Sequence, residues 1–278
     1  MIYLNCEVKS GLGEDTFWTW FEREFNGGCS FSIPKKLNSN DILIQYSTLG
    51  FYPIAGKQIA YCLELIPQMK EKYSIDMWDQ RIQNIMECAR YSTYRVVATE
   101  ESIADYSQFG KVDVIPIGVD TDLYKPLNAK QALRDKYSLP KEKKVGFWIG
   151  TAHPMKGLDR LLEFSALHPD IHIIAVWKWQ PEALLLNGVS NFVKISQETI
   201  NELLNASDFF ISTNCLNSFY MSEWEAMAAD IPFILLGNNR REFIPSNHPR
   251  DDVFSRHWDR KTCSEIWKKY LLDRGVEW

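Results

Sequence analysis

GTAHPMKG, Gly150 to Gly157, follows the apolar run VGFWI and precedes LDRLLEF, whose leucines and phenylalanine recur at helical spacing. The order is strand, glycine, short loop, Lys-Gly, helix. Such a loop exposes backbone N–H groups and one cation at a strand's carboxyl end, where open α/β sheets take their ligands, so the expected ligand is an anion. The same alternation continues towards the C-terminus, where IHIIAVW, ETINELLNA, DFFIST, SEWEAMAA and PFILLG read as strand, helix, strand, helix, strand.

The N-terminal half carries its own set. MIYLNCEV reads as a strand, KSGLGED as a glycine-rich turn and TFWTWFEREF as a helix with an aromatic face. DILIQYS, KQIAYCLELIP, RVVAT and VDVIPIG follow as strands, with MWDQRIQNIMECARYS and ESIADYSQFG as helices. Between the halves, the stretch around 126–143 is rich in charge with a proline near each end, which predicts a linker holding a short helix at ALRDKY. The expected organisation is α/β, with two doubly wound domains at 1–125 and 144–262. A closing helix at 263–278 can cross back to the first domain.

With 278 residues, 45% hydrophobic and 13% aromatic, the chain can fill two cores. A net charge of -5 supplies no global attraction to nucleic acid or anionic membrane, although a local basic face fits beneath that average. The six cysteines lack a CxxC pair and sit in apolar context, which predicts buried thiols and a reducing cytoplasm. No signal peptide opens the sequence and no apolar run approaches the roughly 18 residues of a spanning helix. A cytoplasmic, soluble protein is the expectation.

Three stretches in order carry a family resemblance. VIPIGVDTDLYKP resembles the interdomain segment of GT4-type glycosyltransferases of the GT-B fold, in which "IPNGVD" precedes an aromatic and a proline. GTAHPMKGLDRLL resembles their "VGR…KG…LL" loop, and SDFFISTNCLNSFYMSEWEAMAADIPFI their "aD…PS…EGFG…EAMA.G.P" signature. Together they span most of the sequence from Val114 to Ile234. The resemblance implies two Rossmann-like domains with a cleft between them. It also implies transfer of a sugar from a nucleotide diphosphate donor, UDP-sugar favoured, to an acceptor hydroxyl with retention at the anomeric carbon.

The residues agree with that chemistry. A leaving nucleoside diphosphate gains negative charge in the transition state, so a cation and N–H donors must already stand beside it. Lys156 supplies the cation, and the start of the helix SEWEAMAA supplies N–H groups and a positive dipole end. Glu225 matches the family carboxylate that accepts from both donor ribose hydroxyls; an ordinary exposed helix glutamate is the competing reading. The remaining donor-side candidates are Gly150, Thr151, His153, Asn217, Ser218, Phe219, Tyr220, Met221 and Ser222. On the acceptor side stand Gly11, Gly13 and Glu14 in the glycine-rich turn, with a plain turn as the competing reading, and Glu64 in LELIP, which resembles the "HDLIP" of some members and is a candidate catalytic carboxylate or, equally, a strand-end cap of nearby N–H groups.

The departures are specific. Asn217 replaces a family glutamate, Thr151 replaces the arginine after the loop glycine, and Leu63 stands where some members carry histidine. Those neutral replacements keep open a non-catalytic nucleotide-sugar-binding protein. A Rossmann oxidoreductase is disfavoured because no GxGxxG follows a strand. Asp120-Thr121-Asp122 spells the DxD of a different glycosyltransferase fold, but its place in an interdomain turn predicts a turn, so no metal and no other cofactor is expected. HPDIH and HPRDD match no firm ligand spacing.

For the acceptor, W-I-G, five residues, K-G is similar to the corresponding loop of the DNA α-glucosyltransferases of T-even bacteriophages. A hydroxymethylated base in double-stranded DNA therefore stands beside saccharides, lipid-linked glycans and small molecules. For that partner Lys9, Lys35, Lys36, Arg240 and Arg241 are candidate phosphate contacts. Trp18, Trp20 and Tyr52 are candidate stacking groups, with solvated surface and core aromatics as the competing readings.

Overall fold

The computed structural model describes residues 1–6, 13–63, 76–152, 156–177, 188–213, 221–236, 242–244 and 259–278. Among them the chain divides into two compact units, 1–118 with 260–278, and 119–259.

The first unit holds strands β1 (Ile2–Asn5), β2 (Cys29–Ser30), β3 (Ile42–Tyr46), β4 (Lys57–Cys62), β5 (Tyr94–Val97) and β6 (Val112–Val114). Helices α1 (Gly13–Glu24), α2 (Asp76–Tyr91) and α3 (Ile103–Tyr106) alternate with them. The sheet order is β2-β1-β3-β4-β5-β6 and every pair is parallel. Central strand β3 is buried at every residue, which is why ILIQY reads as a continuous apolar run with one interruption. That interruption, Gln45, is satisfied internally: its Nε2 donates to Gln58 Oε1 at 2.6 Å and its Oε1 accepts from the Tyr52 N–H at 2.6 Å.

One face of this sheet packs Ile2, Leu4, Ile44 and Tyr61 against Phe17, Trp18 and Phe21 of α1. The closing helix, α8 (Arg260–Leu272), completes that core, with the Trp267 ring 5.3 Å from both Phe21 and Tyr61. Past its end, Arg274 lays its guanidinium on the Tyr270 ring at 3.3 Å and donates to Asp113 Oδ2 at 2.9 Å. Trp18 and Trp20 are 1% and 3% exposed. Neither is available to stack on a nucleic-acid base: the Trp18 ring lies 6.1 Å from that of Tyr61 in the sheet, and the Trp20 ring lies 5.6 Å from the Arg260 guanidinium of the closing helix. Tyr52 is 39% exposed, and Lys35 and Lys36 are exposed.

The second unit holds β7 (Lys144–Gly150), β8 (Ile171–Trp177), β9 (Val189–Val193), β10 (Phe209–Ser212), β11 (Phe233–Leu235) and β12 (Glu242–Ile244). Its helices are α4 (Lys130–Lys136), α5 (Leu158–Leu167), α6 (Gln197–Ala206) and α7 (Met221–Ala228). The order β12-β11-β10-β7-β8-β9 is parallel except for β12, which runs antiparallel to β11. Trp148, Ile173, Ala175, Trp177, Phe209 and Ile211 form one core face against Leu161 and Phe164 of α5.

The stretch 126–143 is part of this unit and not a free linker. Buried Arg134 donates from Nε to the Ala206 carbonyl at 3.0 Å and from Nη2 to Asp208 Oδ2 at 2.7 Å. Burial alone would raise the Asp208 carboxyl, but the Val145 N–H and the Arg134 guanidinium outweigh it and hold it below its ordinary range. Asn205 adds a second tie, accepting from the Leu127 N–H at 2.7 Å. A charge-rich composition looks like a solvated linker until its charges find partners about seventy residues away.

Among the described residues no helix is long and apolar enough to cross a membrane.

Candidate functional site

In the second sheet the chain runs from β7 out through β8 and β9, then returns to place β10 on the other side of β7. The reversal leaves a crevice beyond the carboxyl ends of β7 and β10, the place where open α/β sheets bind ligands. Two stretches singled out in the sequence leave from those two strand ends: Gly150 to Gly157 after β7, and the segment leading into α7 after β10.

Both glycines of the first loop are demanded by their neighbours. A Cβ on Gly150 would lie 2.6 Å from Trp148 Cζ2, since residues two apart on a strand share a face. Gly157 sits at φ 59° and ψ 43°, the left-handed region, as the N-cap of α5. A Cβ there would lie 2.1 Å from the Thr213 carbonyl oxygen. Thr213 is the residue after β10, so the loop of one strand presses on the end of the other. Its hydroxyl accepts from Trp148 Nε1 at 2.8 Å and donates to the Lys156 carbonyl oxygen. Its carbonyl oxygen accepts from Arg160 Nη1 at 3.5 Å.

Helix α7 follows β10. Glu223 in its first turn is buried and accepts through Oε1 from the Ser212 hydroxyl. Glu225, two positions on and so on another side of the helix, is 9% exposed. The competing reading of an exposed helix carboxylate is therefore ruled out for this residue. Met221 and Ser222 are half-buried at the helix start. Lys156 and Thr151 are half-buried in the other loop.

The described residues thus bring Gly150, Thr151, Lys156, Met221, Ser222 and Glu225 to the loops and helix that follow two adjacent strand ends. His153, Asn217, Ser218, Phe219 and Tyr220 lie outside the described residues. So do Gly11 and Glu64, the phosphate-contact candidates Lys9, Arg240 and Arg241, and the HPRDD motif. Gly13 opens α1 after β1, which borders the corresponding crevice of the first sheet, between β1 and β3. The Glu14 side chain is outside the description. Thr213, Trp148, Ser212, Glu223 and Arg160 were not expected. The only trace of them in the sequence is the doubled acid Glu223-Trp224-Glu225.

Asp120 and Thr121 of the DTD stretch serve a turn. Asp120 Oδ1 accepts from the Leu123 N–H at 3.2 Å, and Thr121 donates from Oγ1 to Asp259 Oδ2. Val119 also bridges to Asp259, so this turn joins the two ends of the second unit.

No protein-family model matches the sequence. A D-inositol 3-phosphate glycosyltransferase from Mycolicibacterium smegmatis is 26% identical over 138 residues, 45% of this chain and 32% of that protein. The chain thus matches about a third of that relative's length. Among solved structures, HepE of Anabaena in complex with UDP-glucose superposes with a TM-score of 0.75 at 14% identity, over 98% of this chain and 99% of that one. Sucrose-phosphate synthase from Thermosynechococcus elongatus gives 0.65 at 12% identity, over 99% of this chain and 94% of that one. Two parallel-sheet α/β units, matched along nearly their whole length by these proteins, identify the architecture of the chain as the GT-B fold.

Proposed function

We propose that this chain is a glycosyltransferase of the GT4 kind, moving a sugar from a nucleoside diphosphate donor to an acceptor hydroxyl. The observation that carries the reading is the meeting of the Lys156-Gly157 loop with the end of β10, from which α7 and its buried Glu225 follow, at the switch point of the second sheet. A UDP-sugar is the favoured donor, in keeping with the UDP-glucose seen in HepE. The leaving diphosphate is met by the Lys156 ammonium and by N–H groups at the start of α7, charges fixed in advance where negative charge develops. Retention at the anomeric carbon follows the family resemblance and is read from the anomeric configuration of the product.

Glu225 binds the ribose. Ribose hydroxyls do not change charge during transfer, so their contact is made equally in ground and transition states. Glu225→Gln is therefore expected to raise the donor KM by roughly tenfold, the loss of about 1–2 kcal/mol of hydrogen bonding, with kcat little changed. A fall in kcat at saturating donor with KM unchanged would remove Glu225 from that role.

The reading is tested with a panel of nucleotide sugars, following donor hydrolysis and transfer with and without excess EDTA. Turnover that survives chelation is expected, because Lys156 and the helix dipole supply the charge a Lewis acid would bring. Abolition by EDTA with rescue by Mn²⁺ would return Asp120 and Asp122 to consideration. Donor binding with neither hydrolysis nor transfer would make the chain a nucleotide-sugar-binding protein.

A second reading concerns the acceptor alone. The local resemblance of the WIG…KG loop to that of DNA α-glucosyltransferases, with Lys35 and Lys36 exposed, favours a hydroxymethylated base in DNA. With Trp18 and Trp20 in the core, stacking would fall to Tyr52. Comparing hydroxymethylcytosine DNA with oligosaccharides in the same assay separates the two acceptors.

A further inference from the structure

The two strands that border the crevice of the second unit are tied at their carboxyl ends by one side chain. Thr213 is 3% exposed, and its hydroxyl has one proton and two lone pairs to place. A lone pair takes the Trp148 indole N–H at 2.8 Å, and the proton goes to the Lys156 carbonyl oxygen. Trp148 is itself fixed in the core, its ring 4.8 Å from that of Trp177, whose Nε1 donates to Asn191 Oδ1 at 2.8 Å. A chain of directed bonds therefore runs from the sheet interior through Thr213 to the peptide that carries Lys156.

We propose that Thr213 is a positioning residue for the diphosphate loop, holding the peptide plane between Lys156 and Gly157 and thereby the direction in which the Lys156 side chain leaves the backbone. The inference rests on the reading of Lys156 as the cation beside the diphosphate. A threonine that only satisfied a buried indole would need to accept; here its proton is committed to the loop as well. The Thr213 carbonyl reinforces the hold from the other side, lying against Gly157 and accepting from Arg160 in the first turn of α5. Fixing the backbone matters because a cation stabilises a developing charge only at the right distance, and a misplacement of about 1 Å can cost roughly 100-fold in rate.

The test is a double-mutant cycle between Thr213 and Lys156, read by kcat, donor KM, UDP affinity by calorimetry and thermal melting. Thr213→Val keeps the shape and removes the hydroxyl, and Thr213→Ser keeps the hydroxyl. Thr213→Val is expected to lower kcat roughly 10- to 100-fold with a smaller change in donor KM, while Thr213→Ser stays within about threefold of wild type. In a Lys156→Ala background Thr213→Val should cost almost nothing further, because it acts through the side chain already removed. Should Thr213→Val be too unstable to assay, Thr213→Cys keeps a small side chain, replaces the hydroxyl by a weak donor and is read by the same cycle with the same expected split. Thr213→Val turnover equal to wild type, or an equal cost with and without Lys156, overturns the inference alone. A wild-type chain that binds no nucleoside diphosphate and turns over no nucleotide sugar overturns the functional reading and the inference with it.

Discussion

Replacing Lys156 with alanine is expected to lower turnover by roughly 100- to 1,000-fold, about 3–4 kcal/mol of barrier, while the protein melts close to the wild-type temperature. The size of the effect comes from timing. The donor diphosphate is already charged when bound, but the β-phosphate oxygen joined to the anomeric carbon takes up further charge only as that bond breaks, so the ammonium contributes more to the transition state than to the bound donor. The loss should therefore fall mainly on kcat at saturating donor. The contact with the end of β10 is kept in the variant, because the residue 156 carbonyl oxygen accepts from Thr213 whatever the side chain. Lys156→Met, which keeps the aliphatic stem, should lose as much as alanine, and Lys156→Arg should recover part. Unchanged turnover in Lys156→Ala would take this residue out of the site and leave the crevice between β7 and β10 without its proposed chemistry.

The loop around Lys156 was legible because its signals are local. An apolar run, a glycine, a Lys-Gly pair and a helical leucine pattern all fall within twenty residues, and strand β7 and helix α5 bracket them as expected. The flanks of Glu225 mark it as a candidate, but its burial was not legible, since nothing in SEWEAMAA says which sides of the helix are covered. Thr213 was invisible: a β-branched residue ending a strand is unremarkable until Trp148 and Lys156, more than fifty positions away, are placed on it. The same limit explains 126–143, where Arg134 pairs with Asp208 across seventy-four positions. It also explains Trp18 and Trp20, since an aromatic on a helix suits a core or a stacking surface until the elements packed on it are known. Local pattern identifies elements and loops; the partner that decides what a residue does lies at a distance in sequence.

Gly157→Ala is expected to be the most damaging of the glycine-to-alanine changes among the described residues of the second unit. Two costs add. Alanine at φ 59° occupies the left-handed region at about 1–2 kcal/mol, and its Cβ would lie 2.1 Å from the Thr213 carbonyl oxygen, a backbone atom that cannot swing aside. Relief requires the end of β10 or the Lys156 peptide to shift, which for an overpacked site costs roughly 1–3 kcal/mol more. The sum, about 2–5 kcal/mol, corresponds to a fall of roughly 5–15 °C in melting temperature. Gly188→Ala is the control. Gly188 also has a left-handed φ, 80°, but among the described residues a Cβ there would meet nothing closer than the Ile171 carbonyl oxygen at 3.8 Å, so against them it carries the strain without the clash. The difference between the two variants isolates the close approach of the loop to β10. Activity should divide them further, because the movement that relieves the clash displaces the residue next to Lys156, whereas Gly188 precedes edge strand β9, away from that loop. Gly157→Ala should accordingly lose more turnover than its stability explains at a temperature where it remains folded, and Gly188→Ala should not. Equal melting temperatures and equal turnover for the two would mean that the loop moves freely past Thr213, and the account of a diphosphate loop clamped between adjacent strands would fall.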